Sequence, residues 1–599
     1  MLYPQENERR EVKDLAGIWR FKLDRQNVGL SERWYESSMK DTIDMPVPSS
    51  YNDLTQDVSI RDYVGNVWYE YSFYIPERWK GRRVVIRLGS VTHHSKVWLN
   101  GNLIAEHKGG FLPFEGEITD IADYGSENRI TVLVNNELDE GCLPRGRMKR
   151  FDDDYHPDNY VKQEVFFDFF NYAGIHRPVK VYTTNGVFVK DIGVTTDVID
   201  NVGRISFKVL TNTDIEEKNI HIELVDEEGT VVAEHRGTEG IMNIDSPNLW
   251  QPGNAYLYTL KTYLYDNDKN VIDVYNLRVG IRTVEVEGDK FLINGEPFYF
   301  KGFGKHEDSE LRGRGLDNVV NVKDFNLLEW IGANSFRTSH YPYSEEILNM
   351  ADERGIVIIG ESPAVGMRND FGEEIFTEER FNGECMKHHI DVMQEMIDRD
   401  KNHPSIVMWS IANEPSTWDK GSVKYFKKIA DKTRYLDSSR PLTLVFCSVP
   451  EKNGLTPNLY EAGFAEYVDV ICLNRYFSWY TDSGSLDLVE FQFEKDLTLW
   501  HKRFEKPILI TEYGVDALAG FHEDPPVLFT EEYQIEFLKA CHRAFDKFDF
   551  VIGEHVWNFA DFATEQGITR VVGNKKGIFT RQRKPKSAAF LLKERWSAK

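Results

Sequence analysis

Two rhythms run along the 599 residues. Together they predict a multidomain β plus α/β protein: an N-terminal jelly-roll β-sandwich, an immunoglobulin-like β-sandwich and a C-terminal (β/α)8 TIM barrel. Short, alternating strands fill residues 1–280. From 281 on, about eight short apolar runs alternate with longer amphipathic segments over roughly 300 residues, the count and size of a barrel. A third observation is where those runs stop: six end in polar side chains that a solvated loop has little reason to supply. The boundaries read as 1–184, 185–280 and 281–599.

In the first domain, Val67-Trp68-Tyr69-Glu70-Tyr71-Ser72-Phe73-Tyr74-Ile75 and Val84-Val85-Ile86-Arg87-Leu88 alternate or run apolar. Val97-Trp98-Leu99-Asn100-Gly101-Asn102-Leu103-Ile104 is strand, Asn-Gly turn, strand: a hairpin. Trp68 and Trp98 could stack on sugars, but their alternation with apolar neighbours assigns them to the core. In the second domain, Ile205-Ser206-Phe207-Lys208-Val209 and Ile220-His221-Ile222-Glu223-Leu224-Val225 keep period two, and Asn248-Leu249-Trp250-Gln251-Pro252 reads as a turn. No chemistry is visible there, so it reads as a spacer or packing partner.

The barrel strands are read at Phe298–302, 333–337, 356–360, 406–411, 442–446, 468–472, 507–510 and 551–555. The fourth is the most informative. His403-Pro404-Ser405-Ile406-Val407-Met408-Trp409-Ser410-Ile411 is too short and too continuously apolar for a surface helix, and reads as a strand buried on both faces. It stops at Asn413-Glu414-Pro415. Glu414 could cap the next helix; at the C-terminal end of a barrel strand it stands where chemistry sits. Other strand ends supply Gly304-Lys305-His306-Glu307-Asp308, Arg337-Thr338-Ser339-His340-Tyr341, Asn474-Arg475-Tyr476, Thr511-Glu512-Tyr513-Gly514 and Trp557-Asn558-Phe559-Ala560-Asp561. Glu414 and Glu512, across the barrel from each other, are the carboxylate pair that glycoside hydrolysis needs: one protonated, one ionised. His306-Glu307-Asp308 suggests a metal, but one run on one strand end does not by itself converge on an ion. The reading is no metal and no cofactor.

Bulk properties narrow the partners. The net charge of -25 argues against nucleic acid, which needs a basic face. The N-terminus shows no signal peptide and no stretch is apolar enough to span a membrane. Five cysteines, Cys142, Cys385, Cys447, Cys472 and Cys541, with no C-x-x-C spacing, suit a reduced, cytoplasmic protein without a zinc site.

With these residues collected, the whole chain resembles glycoside hydrolase family 2 and, within it, the bacterial β-glucuronidases. The resemblance rests on Asn171-Tyr172-Ala173-Gly174-Ile175-His176-Arg177, Gly302-Phe303-Gly304-Lys305-His306-Glu307-Asp308, Trp409-Ser410-Ile411-Ala412-Asn413-Glu414-Pro415, Ile510-Thr511-Glu512-Tyr513-Gly514 and Asn574-Lys575-Lys576-Gly577. It implies a retaining hydrolase of small-molecule β-glucuronides that passes through a covalent glycosyl-enzyme, with Glu512 as nucleophile and Glu414 as acid/base. It further implies that Asn413 binds the sugar 2-hydroxyl and that Asn574 and Lys576 hold the C6 carboxylate. Asp168, loaned by the jelly roll, and His340, Tyr476, Tyr480, Trp557 and Arg570 would contact the sugar, and the assembly would be a homotetramer. In a chain this acidic, an anionic sugar calls for local positive charge, which the Asn-x-Lys pair would supply. β-Galactosidase and β-mannosidase are the competing readings within the fold, and neither neutral sugar needs that pair. A binding or scaffold protein without catalysis is the competing class, which the presence of both glutamates opposes. The loop 367–381 follows the third strand and should hang over the pocket. Its Met367, Phe371, Ile375, Phe376 and Phe381 could contact an aglycone or anchor the loop.

Overall fold

The computed structural model describes all residues but 369–373, 378–379, 382, 448–462 and 599. The first 184 residues build a β-sandwich. A six-stranded sheet runs in the order Ile43–Val47, Gly17–Leu23, Asn66–Ile75, Ser126–Asn135, His94–Leu99, Asn102–Lys108. It packs on a four-stranded sheet of Val12–Asp14, Val179–Thr184, Arg83–Leu88 and Phe114–Glu117. The expected hairpin is present. Leu99 pairs with Asn102, and both turn residues have positive φ, Asn100 at 49° and Gly101 at 85°. Those angles match the twist of the flanking strands, and Asn-Gly adopts them at low cost. Trp68 and Trp98 are buried and stack on each other at 5.5 Å, so they are core and not sugar platforms.

Residues 189–279 form a second sandwich. Three strands, Val189–Ile199, Val202–Thr211 and Glu239–Asp245, face four, Val231–Arg236, Ile220–Val225, Tyr258–Tyr265 and Val271–Val279. The burial of Tyr258–Tyr265 alternates strictly, as period-two patterning demands. Trp250, read from sequence as part of a turn, is fully buried and its Nε1 donates to the Asp352 carbonyl at 2.8 Å. It belongs to one apolar cluster with Phe300, Val357, Val407, Leu509 and Ile552 of the following domain. Burying about 200 Å² of indole at about 25 cal/mol/Å² contributes about 5 kcal/mol, an upper estimate, to this docking.

Eight parallel strands then close into a barrel, the TIM fold. They are β1 (Phe300–Lys305), β2 (Ser335–Thr338), β3 (Val357–Glu361), β4 (Ile406–Asn413), β5 (Leu442–Phe446), β6 (Ile471–Asn474), β7 (Ile508–Tyr513) and β8 (Val551–Val556). Every residue of β2 to β8 is buried, which explains the apolar runs without alternation. The sequence reading placed the sixth strand at 468–472. It starts at Ile471, the first residue paired with β7, and Gly463–Tyr467 ahead of it is a short 3-10 helix. Among the described residues no helix is long and apolar enough to cross a membrane.

Candidate active site

The C-terminal ends of the strands converge on a cavity of about 710 Å³. Asp168, His340, Asn413, Glu414, Tyr476, Tyr480, Glu512, Trp557 and Arg570 all line it. Asn574 and Lys576 stand behind this lining, both fully buried, and reach it through Asp168 and Tyr480.

Glu512 ends β7 with its side chain 5% exposed. One carboxylate oxygen accepts from Arg337 Nη2 at 2.5 Å and the other from the Tyr476 hydroxyl at 2.5 Å. Burial pushes this carboxyl up from its ordinary value; Arg337 and His340 pull it down, and Glu414 adds to the rise. Glu414 follows β4 with its side chain 23% exposed. Its Oε1 accepts from Asn474 Nδ2 at 2.9 Å, and its Oε2 lies 3.6 Å from Arg368 Nη1. Its φ is +51°, in the left-handed region, a strained conformation of the kind that surrounding structure imposes at functional positions. Asn413 Oδ1 accepts from Asn474 Nδ2 at 3.2 Å, so one amide orients both ends of the Asn-Glu pair.

Two residues that the sequence reading did not assign to the site organise it. Arg337 is fully buried at the end of β2 and donates to both oxygens of Glu361, at 2.7 and 2.8 Å, as well as to Glu512. Glu361, fully buried, ends β3. Burial opposes its ionisation, but the Arg337 charge and the bonds from His340 and Ser410 win and hold it below the ordinary carboxylate range. His340 Nδ1 lies 2.8 Å from Glu361, and the ring stacks on Trp557 at 4.9 Å. The signal for Glu361 was the one used for Glu414: a carboxylate directly after a buried strand. Asn474, read from sequence only as a strand-end residue, belongs with them.

The run His306-Glu307-Asp308 diverges. His306 meets the Tyr341 hydroxyl at 3.2 Å, Glu307 pairs with Arg177 at 3.1 Å, and Asp308 pairs with Arg581 at 2.5 Å. Burial, reinforced by His340 and Arg337, pushes His306 well below its ordinary value and keeps it neutral.

At the Lys576 end, Nζ donates to Asp516 at 2.6 Å and to the Tyr480 hydroxyl at 3.1 Å. Arg570 grips Asp168 with two bonds of 2.8 Å, and Asn574 Nδ2 donates to the same carboxylate at 2.9 Å. Lys576 is therefore no surface lysine. The local positive charge expected here is present, and Asp516 and Asp168 meet both cations. This end presents directed donors more than net charge. Asp168 comes from the first sandwich and reaches a residue 402 positions away, so two domains build one pocket.

In the loop after β3, Met367, Ile375, Phe376 and Phe381 are buried, and Phe376 packs on Tyr425, Phe426 and Phe381. They anchor the loop; of these only Ile375 also lines the cavity. Phe371 lies outside the described residues.

A TIM barrel carrying two facing glutamates at its C-terminal mouth, with two β-sandwiches ahead of it, defines a multidomain glycosidase. The comparisons agree. Residues 12–185, 187–282 and 284–599 match, in turn, the families described as glycosyl hydrolases family 2, sugar binding domain; glycosyl hydrolases family 2; and glycosyl hydrolases family 2, TIM barrel domain. The chain belongs to glycosyl hydrolase family 2. It is 55% identical over 597 residues to a beta-glucuronidase of Paenibacillus borealis, covering 100% of this chain and 98% of that one. It is 46% identical to the beta-glucuronidase of Homo sapiens, covering 100% and 92%. The solved beta-D-glucuronidase of Dictyoglomus thermophilum superposes with a TM-score of 0.93 at 52% identity, covering 100% and 99%. The Ruminococcus gnavus β-glucuronidase solved in complex with D-glucuronic acid superposes at 0.92 with 41% identity, covering 99% of each chain.

Proposed function

We propose that this protein is a retaining β-glucuronidase. Glu414 protonates the glycosidic oxygen while Glu512 attacks the anomeric carbon, giving a covalent glycosyl-enzyme and releasing the aglycone. Once Glu512 is esterified its charge is gone, and Glu414 takes a proton from the water that cleaves the ester. The observation that carries the reading is the pairing of the two glutamates in one cavity with different donors. Glu512 has Arg337 and Tyr476 aimed at its oxygens, which suits an anion that attacks. Glu414, more open, has Asn474 on one oxygen and the cavity before it.

Asn413, held by Asn474, binds the sugar 2-hydroxyl. Trp557 and His340, stacked, form a wall for the ring, and Tyr476 and Tyr480 line the opposite approach. Lys576, Asn574, Arg570 and Asp168 receive the C6 carboxylate and a ring hydroxyl. Lys576 keeps a proton to donate beyond its bonds to Asp516 and Tyr480. The named relatives support the glucuronide over a neutral sugar. The protein is further proposed to work in the cytoplasm as a homotetramer; its five cysteines are unpaired, and light scattering on the purified protein tests the assembly.

The test is a panel of 4-nitrophenyl glycosides. The β-glucuronide should be hydrolysed with β-glucuronic acid as the first product seen by proton NMR. Faster turnover of the galactoside or mannoside would overturn the sugar assignment, and initial α product would mean inversion.

A further inference from the structure

The cavity has a second group of cations, with Glu140 among them, on the Glu414 side, where the leaving group must lie. Arg145, Arg147, Arg368 and Arg380 line the cavity there. Arg145 stands at the base of a two-stranded arm, Gly146–Arg150 paired with Val161–Val165, that the first sandwich extends over the barrel mouth. It is 4% exposed. Its backbone nitrogen donates to the Val365 carbonyl and its Nη1 to the Gly366 carbonyl at 3.3 Å. Gly366, at φ +76°, lets this loop lie against the arm, where a Cβ would come within 2.7 Å of the Phe166 carbonyl. The guanidinium is thus fixed between arm and loop, over the rings of Phe381 at 4.3 Å and Phe166 at 5.3 Å.

What sets Arg145 apart is its missing counter-ion. Among the described residues no carboxylate pairs with it, and its Nε is buried without a hydrogen-bond partner. The other buried cations described near this mouth have a counter-ion: Arg337 has Glu361 and Lys576 has Asp516. Burial holds the Arg145 guanidinium below the ordinary arginine range; Glu140 opposes that and Arg380 adds to it. Arginine stays charged in proteins, so an unpaired buried guanidinium is a standing electrostatic cost that a bound anion relieves. A planar fork beside a cavity is suited to an oxyanion held by two parallel bonds.

We infer that Arg145 forms an aglycone subsite for an anionic group, so that the preferred substrates are β-glucuronides whose leaving group carries a carboxylate or sulfate. The inference rests on the glucuronidase reading. Arg147, turned along the same arm and paired with Glu164 at 2.7 Å, and Arg368, 3.6 Å from Glu414, add positive potential on the path to it. In a chain of net charge -25, such a patch also guides an anionic substrate to the mouth.

The test uses the full-length protein and three phenyl β-glucuronides substituted at the meta position with carboxylate, sulfonate or carboxamide. The quantity read is the ratio of kcat/KM for each anion to that for the carboxamide, in wild type and in Arg145→Gln. Intrinsic leaving-group differences cancel between the two proteins. We expect the anion ratio to fall about tenfold in the variant, and the wild-type ratio to shrink as ionic strength rises. The larger fall, for carboxylate or for sulfonate, identifies which oxyanion the fork fits. A ratio unchanged by the substitution, with all three substrates losing equally, would make Arg145 a clamp between arm and loop and overturn the subsite. If Arg145→Gln does not fold, a salt-independent wild-type ratio overturns it equally. Failure to cleave any of the three would instead remove the glucuronidase reading.

Discussion

Glu414 and Glu512 both end buried parallel strands of one barrel, yet their surroundings differ. Glu512 is nearly enclosed and each of its oxygens takes a short bond, one from a guanidinium and one from a phenol. Glu414 is open to the cavity, takes an amide bond on one oxygen, and has a more distant arginine on the other. In the proposed mechanism, the same residue type at the same kind of position is thereby prepared for two tasks. Donors aimed at the carboxylate stabilise the anion that attacks. A looser, accessible carboxyl can carry a proton in and take another out. The environment, not the residue, assigns the role.

The largest expected effect comes from removing the enclosed member. Glu512→Gln keeps the shape and discards the anion, so no glycosyl-enzyme forms, and turnover should fall by about four orders of magnitude. Residual activity within tenfold of wild type would mean the two roles are wrongly assigned. The open member is tested by leaving-group dependence. Glu414→Ala should slow glucuronides of poor leaving groups by about a hundred- to ten-thousandfold, the usual worth of general acid catalysis, and nitrophenyl glucuronides much less. Azide should restore activity, with a β-glycosyl azide as product. Equal losses on good and poor leaving groups would break the comparison.

Lys576→Ala probes the far end of the pocket. A charge-assisted bond of about 1.5–3 kcal/mol corresponds to about ten- to several-hundredfold in kcat/KM on a nitrophenyl glucuronide. The trace rate on the matching glucoside should hold or rise. A parallel fall on both sugars would show that Lys576 serves mainly to neutralise Asp516. The smallest effect is in the pH profile. Glu512 must be ionised to attack, and burial raises its pKa, so the acid limb of kcat/KM should lie above that of an ordinary carboxylate. Tyr476→Phe removes one donor to the anion. The protonated form then gains ground, the limb moves to higher pH, and the loss at the plateau is about tenfold. A limb that stays put or moves down would mean that another group controls it.

Much of this was legible in the residues. Continuous apolar runs such as Ile406 to Ile411 announce strands buried on both faces, because only a sheet covered by helices on one side and a packed core on the other tolerates them. The barrel order follows from connection rules, and the Asn100-Gly101 turn from the steric freedom of those two residues at positive φ. Glu414 and Glu512 could be singled out because a carboxylate after such a run has little local structural use beyond capping the next helix. Arg337 and Glu361 show the limit of that argument. Both lay at strand ends in plain view, but nothing local says that one guanidinium will bridge two carboxylates from β3 and β7.

The sequence by itself determined the strand pattern, the three-domain plan and the residue types at each strand end, since these depend on side-chain periodicity and local sterics. Tertiary structure alone decided who meets whom. It buried Lys576 against Asp516, brought Asp168 402 positions along the chain to Arg570, and turned Trp250 from an apparent turn residue into a domain anchor. It also left Arg145 buried beside the cavity with no ion-pair partner among the described residues. Charge compensation is a through-space property of closed packing. A sequence lists the ions, and only the fold sets the distances over which they act.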